Sequence, residues 1–268
     1  MEWEVIPTLL LFIIQESSST FTVPKGVKKI DVFCVGGGAG GGGGYNFSTS
    51  SSISGSGGGS GYTITKLGVD ITEGEQLGIV IGSGSGGSVE TGRVNSGGTS
   101  SIGNICSANG GAGHNHSTGG DGGSGGGFGY YFNSYSGPYW SYSSFSGTNG
   151  GQDGNDTSVI EESSSYDGGS TYKITAKGQG TTTRYFGEST GTLYAGGGGG
   201  GATGGSTATV GGAGGGGKGG EKGAAGSAGA TNTGGGGGGG SMLSNGWFAG
   251  GDGGSGICII RWTKDYIS

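Results

Sequence analysis

The sequence predicts a mainly β fold combined with packed polyglycine II helices and no significant α-helix. Three observations carry that expectation. Glycine supplies 79 of 268 residues, against about 7% in ordinary proteins. Much of it stands in consecutive runs, at 36–38, 40–44, 57–59, 125–127, 196–201, 214–217 and 234–240. Between the runs lie apolar, strand-like segments near the start, middle and end of the chain, at 27–35, 76–81 and 257–262, and helical periodicity is absent throughout.

The runs could belong to a collagen, a linker or a packed body. Collagen needs glycine at every third position and abundant proline, and the chain has 3 prolines. A flexible linker has no need of strands at both ends that bring those ends together. Glycine can instead adopt the extended left-handed polyproline II geometry, with three residues per turn and every backbone donor and acceptor pointing outward. A single such helix in water is solvated coil, and ordering it costs glycine more entropy than any other residue. Side by side, each N–H and C=O can bond a neighbour, and the missing side chains permit the close approach. The seven residues 234–240 would reach about 22 Å at a rise of roughly 3.1 Å per residue. Backbone hydrogen bonds would then replace much of the apolar core, which suits a chain with 29% hydrophobic residues.

The elements follow in order. Residues 1–20 are an apolar lead, with Ile6 to Ile14 preceded by Glu2 and Glu4. That start is acidic where a secretory signal is basic, no small-residue cleavage site follows, and a membrane span wants about twenty apolar residues. The lead is therefore expected to be a buried or partner-docking strand. A strand at 20–24, a turn at Lys25-Gly26 and a strand at 27–35 run into the first glycine block. Further strands are expected at 62–71 and 77–81 around a turn at 72–75, at 98–108 with a break at Gly103, and at 257–262. From about residue 110 glycine blocks alternate with Ser/Thr/Tyr-rich excursions. One compact body, residues 21–268, is expected after the lead.

Bulk chemistry excludes several functions. With a formal charge of −6 and 11% charged residues, there is no basic stripe for nucleic-acid phosphates or anionic lipid. Three cysteines, each beside apolar residues, are an odd count for a disulfide framework; they are read as buried core thiols, with a Cys34–Cys258 bridge as the alternative. GSGSGG at 82–87 satisfies G-x-G-x-x-G after a strand, but the continuation is not helical, so no pyrophosphate site is expected. GGQDGND at 150–156 is a single irregular copy of a calcium-binding repeat that works only in arrays. His114 and His116 could share a strand face and meet a metal on a threefold axis; otherwise they lie in a polar loop. No catalytic constellation stands out and no cofactor is implied.

The segment 128–145 is the most informative outside the glycine runs. Of its 18 residues 9 are aromatic and none is charged. Tyr, Ser, Gly, Asn and Trp are what binding loops use, because rigid rings give large contact area at low entropy cost. The candidate contact residues are Tyr130, Tyr131, Phe132, Tyr135, Tyr139, Trp140, Tyr142 and Phe145, with Trp247 and Phe248 from a second aromatic stretch. Tyr185 and Phe186 are candidate companions. The alternative is that the rings cover the glycine lattice.

Four pieces together carry a family likeness: FTVPKGVKKIDVFCVGGG at 21–38, GEQLGIVIG at 74–82, GTSSIG at 98–103 and GGSGICIIRW at 253–262. The combination resembles the glycine-rich domain of bacteriophage tail-fibre and adhesin proteins, over nearly the whole chain after residue 20. The resemblance implies a β-sandwich-like base fused to a polyglycine II bundle, with exposed loops that contact the host receptor. It implies a virion protein of the tail fibre or tail tip, extracellular after host lysis. Its partners would be a bacterial surface receptor, protein or glycan, and other tail-fibre or baseplate proteins through the N-terminal segment, with one or three copies in the assembly. Neither nucleic acid nor membrane insertion is implied. The rival reading is a structural tail or baseplate decoration without receptor contact.

Overall fold

The computed structural model describes residues 10–48, 51–89, 94–113, 118–135, 141–165, 168–203, 207, 209–243, 246 and 248–263. Among them the protein is mainly β-sheet, and the one helical element is a 3-10 turn at Tyr185–Gly187. Among the described residues no helix is long and apolar enough to cross a membrane.

The first four-stranded sheet has the order β1-β14-β3-β6, from β1 (Leu10–Gln15), β14 (Ile257–Thr263), β3 (Lys29–Val35) and β6 (Thr63–Asp70). All its pairs are antiparallel, and Cys258 stands opposite Cys34, so the two ends of the chain do meet. The second has the order β2-β7-β8-β9, from β2 (Ser19–Thr22), β7 (Gln76–Val80), β8 (Ser100–Ile102) and β9 (Cys106–Ala108). Its β8–β9 connection turns at Gly103, whose φ of +45° favours glycine. The expected turns at Lys25-Gly26 and 72–75 are also present, with Gly26 at φ +80° and Gly74 at +77°. Within the lead, residues 10–15 form the edge strand of the first sheet, paired with β14.

Strand alternation sorts β3 between two cores. Ile30, Val32 and Cys34 join a cluster with Phe21, Leu77, Ile79, Ile102, Cys258, Ile260 and Trp262, drawn from both four-stranded sheets. Phe33 and Val35 point the other way, against Ile257, Ile259, Phe186 and Ala195. On that second face the buried Asp31 carboxylate accepts from Arg261 Nε at 3.0 Å and from the Gly68 amide at 2.7 Å. Arg261 also bonds Glu188 and lies 3.8 Å over the Phe186 ring. A buried charge is thereby paired and hydrogen-bonded on several sides.

The third sheet was not expected. Six strands run in the order β13-β12-β11-β10-β5-β4, from β13 (Gly168–Ala176), β12 (Thr157–Ser165), β11 (Ser141–Phe145), β10 (Tyr131–Tyr135), β5 (Ser51–Ile53) and β4 (Tyr45–Ser48). The Ser/Thr/Tyr-rich excursions are thus largely strands. Backbone pairing across β12 and β13, from Thr157↔Ala176 to Ser165↔Gly168, forms a ladder from sequence with little apolar alternation.

The glycine runs are bonded to one another, and apart from 214–216 they are buried. In 234–240 donors change partner with a period of three. Gly236 and Gly239 donate to Gly196 and Gly199, Gly237 and Gly240 to Ala39 and Gly42, and Gly238 to Ser227. Acceptors repeat the pattern: Gly237 and Gly240 accept from Gly58 and Gly55, Gly236 and Gly239 from Gly217 and Gly220, and Gly235 and Gly238 from Gly254 and Gly251. One segment therefore donates to three neighbours and accepts from three others, in both parallel and antiparallel senses. A Cβ placed on Gly237 would stand 2.0 Å from the carbonyl oxygen of Gly251. Only glycine permits that approach. GSGSGG at 82–87 is part of the same network, with Gly82 bonded to Ser100 and Gly87 to Asp252.

Candidate functional site

The aromatic segment forms an antiparallel hairpin of β10 and β11, where a loop was expected. The register sets Tyr131 opposite Phe145 and Phe132 opposite Ser144, so alternation gives Tyr131 and Phe145 one face and Phe132 the other. Phe145 is buried, its ring 5.3 Å from that of Tyr131 and 5.9 Å from the fully buried Phe128. With Val159 and Ala176 these rings form a small core between the six-stranded sheet and the glycine runs.

Two small polar residues fasten the hairpin to the runs. The Ser54 amide donates to the Tyr130 carbonyl, and Ser54 Oγ accepts from the Tyr130 amide and donates to the Gly201 carbonyl. The Thr148 amide donates to the Phe128 carbonyl, Thr148 Oγ1 accepts from the Phe128 amide, and the Gly200 amide donates to the Thr148 carbonyl. Sequence reasoning missed both; the available signal was a lone hydroxyl residue beside a glycine run. Tyr130 also lines a cavity of about 150 Å³ with Ser146, Gly147, Thr203, Thr207 and Thr209. Its lining is uncharged and rich in hydroxyls. The hairpin's other neighbour is β12, which sets Glu162 opposite Ser144 and receives a hydrogen bond from Ser143 at Glu161.

The remaining candidates are dispersed. Tyr130, Tyr131 and Phe132 are half-buried. Tyr135 and Tyr142 are placed by their backbones, on β10 and β11. Tyr139, Trp140, Trp247, His114 and His116 lie outside the described residues. Phe248 pairs with Gly44, one residue before β4, and its ring covers Gly223 and Gly246.

Tyr185 and Phe186 are not companions of the hairpin. Both pack on Phe33, with ring centroids at 6.0 and 5.9 Å, beneath the first sheet. Burial pushes the Tyr185 phenol up to about 12, partly opposed by the Arg261 charge. Burial likewise raises Tyr194, whose ring is 5.3 Å from Phe33. Asp153 of the 150–156 motif is engaged in a turn, accepting from Thr182 and the Thr183 amide and pairing with Arg184 at 3.4 Å. Among the described residues no group of His, Cys, Asp and Glu is arranged to hold a metal ion.

The hairpin thus carries rings and hydroxyls on a sheet that is hydrogen-bonded to the glycine runs. A family model described as a glycine-rich domain matches residues 14–263. No curated protein matches the chain. The family model's match runs from the end of β1 through β14 and includes the second sheet, the hairpin and every glycine run, and the chain belongs to the glycine-rich domain family.

Proposed function

We propose that this chain is a phage virion receptor-binding protein, an adhesin of the tail fibre or tail tip that contacts the bacterial host surface through the β10–β11 hairpin and its surroundings. In this reading the glycine runs are polyglycine II helices and the two four-stranded sheets are a β-sandwich-like base. The period-three bonding of 234–240 supports the first, because polyproline II geometry has three residues per turn. The apolar cluster shared by both sheets supports the second.

The observation that carries the functional reading is the mounting of a ring-rich hairpin on a rigid backbone network through Ser54 and Thr148. Rigid presentation lowers the entropy lost on binding. Phe128, Tyr131 and Phe145 then anchor the hairpin, while Tyr130, Phe132, Tyr135, Tyr139, Trp140 and Tyr142 supply contact area, with Trp247 and Phe248 as a second patch. The receptor is a protein or a glycan; the hydroxyl-lined cavity beside Tyr130 suits sugar hydroxyls. The N-terminal segment, leading into edge strand β1, docks other tail-fibre or baseplate proteins, and a homotrimer is compatible with this arrangement.

The packing of Tyr131 on Phe145 favours the second reading, a structural decoration whose rings serve internal packing. Binding of the purified protein to envelopes of candidate host bacteria separates the two. Saturable binding that blocks phage adsorption is expected of an adhesin. Its absence across every host that the phage infects would favour decoration.

A further inference from the structure

Three strands bring all three thiols together. Cys34 lies on β3 and Cys258 opposite it on β14, in the first sheet; Cys106 opens β9 in the second. Cys34 Sγ is 2.9 Å from Cys106 Sγ and 3.2 Å from Cys258 Sγ. All three are free and buried, Cys34 and Cys258 at 0% exposure and Cys106 at 6%. A disulfide bond is about 2.0 Å long, so Cys34 needs a sulfur displacement of only about 0.9 Å to bond Cys106.

We propose that this trio is an oxidisable site at which hydrogen peroxide converts Cys34 and Cys106 to a disulfide joining the two four-stranded sheets, leaving Cys258 reduced. Position decides the order of events. Cys106 is the sulfur a small oxidant reaches first, because the other two are fully enclosed. The thiolate of Cys106 is also the favoured one: the Cys34 thiol donates to it, its bond with the Ile102 backbone adds to this, and the charge of Lys66 acts in the same direction against burial. Cys34 is held as the thiol by its bonds to Cys106 and Cys258 and by burial.

The steps balance. The Cys106 thiolate attacks one peroxide oxygen; an S–O bond forms, the O–O bond breaks and hydroxide leaves, giving the sulfenic acid. Cys34 sulfur then attacks Cys106 sulfur; the S–S bond forms, the S–O bond breaks, and the hydroxyl departs with the Cys34 proton as water. Hydroxide takes up the proton that Cys106 had released. Two thiols are oxidised by two electrons and one peroxide is reduced to two waters. Cys258 has no equivalent route, since its partner Cys34 is not reached first. The bridge adds a covalent tie between two sheets that meet through side-chain packing and through the bonds of the Cys258 thiol to the Val80 and Ser101 carbonyls, so it stiffens the base against local opening.

The test uses the whole chain. Native protein is treated with hydrogen peroxide, unfolded in an alkylating agent, digested and mapped by mass spectrometry. The expected result is one alkylated cysteine, Cys258, and one Cys34–Cys106 linkage, with a melting temperature several degrees above that of the reduced protein and restored by a dithiol. Cys258→Ser keeps the linkage, and Cys106→Ser loses it while melting cooperatively like the reduced parent. Three alkylated cysteines after oxidation, or any dominant linkage other than Cys34–Cys106, overturns the proposal; the wild-type map alone decides it even where a variant folds poorly.

Discussion

The amide of Gly237 donates to the carbonyl of Ala39 at 2.9 Å, joining a run near the end of the chain to one near its start. Neither residue belongs to a strand, and each is buried. The bond repeats three residues on, from Gly240 to Gly42, also at 2.9 Å. Cohesion here comes from satisfied backbone groups in close approach, with almost no side-chain contribution.

Gly237→Val should therefore be severely destabilising. Its Cβ would meet the Gly251 oxygen at 2.0 Å and the Asp252 oxygen at 2.7 Å, both backbone atoms, so no flexible group is there to yield. A loss of at least about 3 kcal/mol is expected, the upper range for overpacking. Gly78→Ala is the control, because nothing lies within 4 Å of its added Cβ; it should change stability by under about 0.5 kcal/mol. Thermal melts of both variants check the contrast, and equal melting temperatures would sink the close-packed account.

Removing Arg261 should unfold the opposite face of the base. Asp31 is buried and keeps only the Gly68 amide when the guanidinium is gone. Breaking a buried pair from one side costs about 3–5 kcal/mol, so Arg261→Met should lower the denaturation midpoint markedly. The double variant with Asp31→Asn should recover part of the loss. A double variant no better than the single one would show that the charge left on Asp31 is not the cause.

Alkaline pH should weaken the same region. The folded pKa of Tyr185 is raised from 10.0 to about 12, so the folded state holds a proton that the unfolded chain releases. Its contribution is complete below pH 10 and is lost as pH rises toward 12; Tyr194 shifts in the same direction. Tyr185→Phe should flatten the fall of melting temperature over that window. A fall unchanged in the variant would assign the alkaline loss elsewhere.

Much of the base was legible in the sequence, and much of the candidate site was not. The segments 20–24, 27–35, 62–71, 77–81 and 257–262 are apolar and strand-like, and the structure places β2, β3, β6, β7 and β14 there. Gly103 announced its own turn. β10 through β13 were missed because Ser, Thr and Gly interrupt every apolar run; their register comes from ladder pairing and from the small core of Phe128, Phe145 and Val159. Tyr185 and Phe186 were misplaced beside the aromatic stretch, since nothing in their local sequence says that Phe33, some 150 residues earlier, is their partner. The thiols were legible as buried and apolar, but their mutual contact depends on how two sheets stack.

Phe145→Ala should loosen the hairpin from its support. Its ring meets both Phe128 and Tyr131, and truncating a buried aromatic costs about 3–5 kcal/mol. Hydrogen exchange should report faster exchange in β10 and β11 than in β3 and β14. Uniform acceleration across all sheets would mean that the hairpin core is inseparable from the base.

The central claim, that a stiff glycine body presents rings for recognition, is tested most directly by one variant measured in two ways. Tyr139, Trp140 and Tyr142 are changed together to Ala, and both host-cell adsorption and thermal unfolding are followed. The account predicts adsorption lost with the melting temperature within a few degrees of the parent, because aromatic anchors dominate binding energy while the cross-bonded runs and the base lie elsewhere. A stable variant that adsorbs like the parent, or one destabilised by the several kcal/mol typical of removing buried aromatics, would contradict it.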